Sequence, residues 1–222
     1  MSNLTFLTQE QCDGREKLDI LQKRGNKAAI TDFSILLGGI FSKDDDSLEE
    51  KIGCWWTKSD FGAREACMLT KEGYCMGLYL TSDLCGARPV LPISSISRIP
   101  TNGVRGASKI ARDGVLEVEY GYYPQKAVSR DMQEKLEGVF HKGSLSRTGK
   151  KYTTESIESD EEFFPEQHEE FQLDGKRYVR IEVKSRMDEF TLSNGESYRY
   201  GDPVWVEVAP IKWLVDERAK LM

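Results

Sequence analysis

Histidine is nearly absent from this 222-residue chain, which has only His141 and His168, and neither lies near a cysteine in sequence. The five cysteines, Cys12, Cys54, Cys67, Cys75 and Cys85, contain no CxxC pair. Zinc ligation needs clustered thiolate and imidazole at close spacing, so no metal is expected, and no cofactor. There is no GxSxG nucleophile elbow. GVRGASK (103–109) lacks the four-residue gap and the GK-Ser/Thr ending that cradle phosphates. The longest apolar run, ILLGGIF (35–41), is too short to span a bilayer, and MSNLTFLTQEQ has no charged flank leading into an apolar stretch. A cytoplasmic protein is expected. Its net charge of −6 argues against broad nucleic-acid binding, which needs a clustered positive field. An odd number of cysteines in such a chain reads as reduced thiols used as small apolar fillers.

What is present is a pattern of alternating apolar residues broken by turns. GREKLDILQKRG (14–25) reads as a short amphipathic helix, and Thr31 or Asp32 caps a second one carrying Phe33, Leu36 and Leu37, halted at Gly38-Gly39. SKDDDSLEEK (42–51) is a solvated acidic loop. Its aspartate triplet lacks the alternation and the central glycine of a calcium loop. CWWTKS is extended, and REACMLTKEGYCMGLYL reads as a hairpin turning at Thr70–Gly73. In GARPVLPI, Pro89 and Pro92 cannot donate to a ladder and predict an edge or irregular strand.

Residues 98–114 read as a connection between two halves, 1–97 and 115–222. In the second half, VLEVEYGYYPQ (115–125) reads as a strand. SRDMQEKLEGVFHKG (129–143) reads as a helix with Met132, Leu136, Val139 and Phe140 inward. Asp174-Gly175 and Asn194-Gly195 mark turns, and two strands flank Pro210. ESIESDEEFFPEQHEEF (155–171) carries no Lys or Arg, so mutual repulsion predicts an open stretch tacked down by Phe163-Phe164. His168 would be held charged there, and His141 reads as a helix C-terminal charge. The fold class is α+β, short antiparallel strands with a few short helices.

The indoles and guanidinia carry the most information. On a strand, Trp55 and Trp56 point to opposite faces, so one fills the core while the other meets solvent or a second layer, unless both are enclosed. Arg88, flanked by apolar residues, either locks a loop through several carbonyls or faces a ligand. WWTKS, Arg64, the hairpin and GARPVLP together resemble an uncharacterised bacterial family of gut Firmicutes and their mobile elements, with WW-x-(K/R)-S followed by G-(A/V)-R-P-(A/V)-L. Gly121–Gln125 and Pro210–Trp213 resemble its YG-x-YPQ and PI-x-W signatures. The two sets stand here in reverse order, which implies partial copies or a permuted arrangement. The resemblance implies a C-type-lectin-like fold, related to the formylglycine-generating enzyme, in at least the first half. The EPN and WND sugar motifs and that enzyme's paired cysteines are missing.

That resemblance implies a rigid framework displaying variable residues between the two signatures. The expected function is non-enzymatic recognition of a protein partner through a 60–84 surface, with Phe61, Arg64, Met68, Tyr74, Met76 and Tyr79 as contacts. One alternative is a phage or mobile-element accessory protein that inhibits a host nuclease. Glu158, Asp160, Glu161, Glu162, Glu166, Glu169 and Glu170 would then imitate a phosphate backbone. The other is a thiol enzyme using Cys54, Cys67, Cys75 or Cys85 beside Arg64 or Arg88.

Overall fold

The computed structural model describes residues 5–15, 18, 28–41, 51–63, 65–79, 85–90, 109–110, 116–159, 162–185 and 187–215. In chain order these form β1 (Thr5–Phe6), α1 (Gln9–Cys12), β2 (Ala28–Ala29), α2 (Asp32–Leu36), β3 (Ile52–Gly53), β4 (Trp55–Gly62), β5 (Glu65–Leu69) and β6 (Cys75–Tyr79). There follow β7 (Gly86–Ala87), β8 (Pro89–Val90), β9 (Lys109–Ile110), β10 (Leu116–Ala127), α3 (Arg130–His141), β11 (Ser146–Ser159) and β12 (Glu162–Leu173). The last are β13 (Lys176–Glu182), β14 (Phe190–Thr191), β15 (Ser197–Tyr198) and β16 (Pro203–Val215). The fold is α+β with antiparallel strands predominating. Four strands are 12–14 residues long, longer than the sequence pattern implies.

The chain forms two compact units that interleave in sequence. The first contains residues 1–28, 53–122 and 210–222, and the second contains 29–52 and 123–209. The sequence reading divides the chain once, at 98–114; of that connection only β9 is described. The expected helix at 14–25 and loop at 42–51 lie almost wholly outside the described residues.

In the first unit a four-stranded sheet has the order β6-β5-β4-β7. β5 pairs antiparallel with β4 and β6, whereas β7 runs parallel to β4. The hairpin closes where expected, with Gly73 at φ 98° and its N–H donating to Thr70 O at 3.0 Å. Thr8 caps α1 by accepting from Gln11 N, and the Gln11 side chain accepts in return from Thr8 N. That short helix brings Cys12 against Trp55, Leu69 and Leu7, which form the buried cluster of this unit. Pro89 sits opposite Phe6 in the two-stranded β1–β8 ribbon, the edge setting its missing N–H requires.

In the second unit the strand order is β11-β12-β13-β16-β10. Thr31 is the cap of α2, accepting from Ser34 N at 3.2 Å, and Gly38 follows at φ 113°. α3 lays Leu136, Met132 and Phe140 onto Phe171, Tyr178, Trp205 and Val128. Asp174 and Gly175 both have positive φ, 51° and 78°, which is the backbone of a type I′ hairpin and its right-handed twist. β16 runs unbroken through Pro210, where the sequence implies two strands. Its pairing with β13 extends from Pro203 to Glu207, so Pro210 lies beyond the stretch that would need its N–H on that side.

The acidic stretch is not open. Its described residues, 155–159 and 162–171, lie in β11 and β12, whose long ladder runs from Ser146 opposite Gln172 to Ser159 opposite Glu162. Local repulsion is offset by cations distant in sequence: Arg147 meets Glu169 at 3.4 Å and Lys184 meets Glu166 at 3.3 Å. His168 is likewise corrected. It is buried, with Nε2 2.8 Å from Thr154 Oγ1 and its ring edge-on to Phe33. Burial is the largest influence on its pKa and lowers it, Lys184 also lowers it, and Glu166 opposes them, so the neutral ring is favoured. The unfolded chain therefore binds more protons than the folded one below the ordinary value of 6.5. The contribution of His168 to stability is expected to be flat above that pH and to fall as pH drops below it towards the folded pKa, by at most about 1.4 kcal/mol per pH unit. Urea midpoints of the wild type and His168→Gln check this. The variant should lose most of the added slope between pH 6.5 and 5, and an unchanged slope contradicts it.

Candidate functional site

The first unit's sheet has two different faces because the cross-strand register fixes which residues stand side by side. Gly86, Trp55, Leu69 and Cys75 form one row, and Trp55 and Leu69 are in the core. Ala87, Trp56, Met68 and Met76 form the row on the opposite face. The two indoles thus separate as alternation requires: Trp55 is buried and Trp56 is half-buried. The Arg88 guanidinium lies over the Trp55 ring, 4.9 Å from its centroid. That contact answers the pairing of tryptophans with an Arg-Pro in sequence, since a desolvated cation is attracted to the face of an indole. Trp55 Nε1 is buried with no acceptor among the described residues.

Three of the expected contact residues are exposed on this sheet: Phe61 by 53 %, Tyr74 by 69 % and Met76 by 46 %. Phe61, the last residue but one of β4, lies across β6. A Cβ added to Gly77 would come within 2.2 Å of its ring carbon Cδ1, so the glycine is the ring's seat. Tyr74 leaves the hairpin turn, its N–H donating to Thr70 Oγ1 at 3.2 Å. Met76 stands on β6, the end strand of the sheet.

Met68, expected as an exposed contact, is instead buried. β5 is an interior strand, and Ala66, Cys67, Met68 and Leu69 are all buried; the unbroken apolar run is the signal for that. Tyr79 ends β6 opposite Glu65, with only its backbone described. Arg64 lies outside the described residues.

The acidic candidates divide further. Asp160 and Glu161 lie outside the described residues, and Glu158 and Glu162 are described only as strand backbone. Glu166 and Glu169 are engaged with Lys184 and Arg147. Glu170, expected as a surface contact, is 2 % exposed. It accepts from Tyr152 Oη at 2.6 Å and Thr148 Oγ1 at 2.9 Å, with Arg177 at 3.8 Å. Burial and the adjacent carboxylate push the Tyr152 hydroxyl upward in pKa. This is a satisfied structural network.

All five cysteines are free, and all belong to the first unit. Cys54 and Cys85 shift each other's acidity, as Cys67 and Cys12 do that of Cys75. No CxxC spacing marks this grouping in the sequence, because it forms across strands. No group of three or more His, Cys, Asp or Glu among the described residues is placed to hold a metal. Among the same residues, no helix is long and apolar enough to cross a membrane.

No protein-family profile matches this sequence, and no curated protein or solved structure is significantly similar to it.

Proposed function

We propose that this chain is a cytoplasmic, non-enzymatic binding module that recognises a protein partner through the first unit's sheet. The supporting observation is the exposure of Phe61, Tyr74 and Met76 around the β6 edge of that sheet, Phe61 over Gly77 on one face and Met76 on the other. Large side chains of this kind dominate protein interfaces because they bury much area for few rotatable bonds. The interior strand β5, between β4 and β6, is buried, so they can vary without loss of the framework. In this reading the unit works as a C-type-lectin-like domain does, with a fixed sheet presenting changeable groups. The mobile-element inhibitor reading draws less support, because Glu166 and Glu169 are already paired and Glu170 is enclosed.

Alanine at Tyr74 should weaken partner capture by the tagged full chain roughly 30-fold, the effect of losing about 2 kcal/mol at a central contact. Gly77→Ala should weaken capture as well, by lifting the Phe61 ring from its seat while leaving its chemistry intact. Unchanged capture by both variants, with circular dichroism like that of the wild type, removes this surface from consideration.

A further inference from the structure

Cys54 immediately precedes Trp55 on β4, and Cys85 immediately precedes Gly86 on β7. Trp55 and Gly86 are directly paired in parallel register, and Gly86 N donates to Cys54 O at 2.9 Å. The two cysteines are therefore lateral neighbours on adjacent strands. Strand spacing of about 4.8 Å lies inside the Cα separation that a disulfide accepts, roughly 4.4–6.8 Å.

The other thiol contact within this sheet is placed less well. Cys67 is opposite Gly77, and Cys75 is opposite Leu69. Cys67 and Cys75 are therefore diagonal neighbours, which in an antiparallel pair stand about 7–8 Å apart. A third sulfur stands beside the first pair, Met68 Sδ, 3.1 Å from Cys85 Sγ. Cys85 is partly exposed and Cys54 is buried beside it.

We infer that Cys54 and Cys85 form a dithiol site oxidised by hydrogen peroxide to an intramolecular disulfide that ties β7 to β4. The proton between them favours Cys54 as the thiolate. Its pKa is drawn down to about 7 by the hydrogen bond from Cys85, with help from Lys71, while the Cys85 thiol is pushed up. The Cys54 thiolate attacks one peroxide oxygen, the O–O bond breaks, and hydroxide leaves with the electron pair, giving a sulfenic acid. Cys85 sulfur then displaces that hydroxyl, which takes the Cys85 proton and departs as water. Two sulfurs are each oxidised by one electron, and one peroxide is reduced. By contrast, burial holds the Cys12 and Cys75 thiols protonated, with both pKa values raised to about 12.

The test uses the full reduced chain, dilute hydrogen peroxide, chymotryptic digestion and mass spectrometry. Cleavage between Cys75 and Cys85 separates the two candidate partners. The expected product is a Cys54–Cys85 linked peptide with the mass of the reduced pair less about 2 Da, reversed by dithiothreitol. Alkylation of Cys54 at pH 7 should fall at least about tenfold after peroxide. In Cys85→Ser, and independently in Cys85→Ala, the sulfenic acid has no resolving thiol, so a dimedone adduct should accumulate on Cys54. A linkage through Cys12, Cys67 or Cys75, oxidation confined to Met68, or no change in mass overturns the proposal. The wild-type result decides the matter even where a variant folds poorly.

Discussion

Trp205→Ala is expected to destabilise the second unit by about 3–5 kcal/mol, the range for removing a large buried aromatic from a packed core. Trp205 is fully buried, and its ring stands edge-on to Phe140 and Phe171, each at 5.6 Å between centroids. Its Nε1 donates to Glu137 Oε2 at 2.7 Å, and Glu137 also receives the Arg180 guanidinium at 2.9 Å. Those two donors, Arg180 first, hold the Glu137 carboxyl below the usual carboxylate range. The backbone of Trp205 is tied as well: its N–H donates to Gln133 Oε1 at 2.7 Å, and its carbonyl accepts from Val128 N. Trp205→Phe separates the contributions. It keeps an apolar ring and the backbone bonds but deletes the indole N–H, and should cost about 1–3 kcal/mol, the value of one hydrogen bond to a charged group together with the lost volume. Urea unfolding followed by far-UV circular dichroism reads both variants. A loss of less than about 1 kcal/mol for the alanine variant shows that this cluster does not hold the unit together.

How far such packing could be read in advance depended on the distance between partners along the chain. The helix stripe Met132, Leu136 and Phe140 was legible because its signal repeats within three turns, and the structure buries Leu136 completely. The Asp174-Gly175 turn was legible because only a few residue types accept two successive positive φ angles. The Trp55-Trp56 alternation needed nothing beyond the pleat. The acidic ladder was hidden because Arg147 and Lys184 neutralise it from outside the segment, where a local charge count cannot see them. His168 reversed its expected protonation for the same reason, since the burial that lowers its pKa is not written around it in sequence.

The candidate surface was legible in part. Phe61, Tyr74 and Met76 are exposed as the loop-display argument requires, and the aromatic and thioether types alone drew attention to them. Met68 carried the same chemistry but lies on an interior strand, and that position depends on strand order, which composition does not state. The Cys54–Cys85 contact arises from a parallel pairing of β4 with β7, across an intervening hairpin. Nothing in the spacing of the two residues distinguishes that pairing from others.

Asp32→Ala is the second large expected loss. Asp32 is the first residue of α2 and is buried, yet it is fully engaged. Oδ2 accepts from Ala127 N at 2.8 Å and from the Ser193 hydroxyl, and Oδ1 accepts from Ser193 N at 3.1 Å. One carboxylate thereby joins the start of α2, the end of β10 and the turn between β14 and β15, segments up to 161 residues apart. Truncation leaves two backbone N–H groups without an acceptor, at about 1–3 kcal/mol each, and removes a favourable charge from a helix N-terminus; the expected total is about 3–5 kcal/mol. Asp32→Asn should recover little of this, since its amide nitrogen would meet a donor at one of the two oxygen positions. Ser193→Ala removes only the hydroxyl bond and should cost about 1 kcal/mol. A double-mutant cycle between Asp32→Ala and Ser193→Ala, read by urea unfolding, then measures the bond itself. A nearly stable Asp32→Asn protein would show that shape, and not the acceptor pair, is what the three segments require.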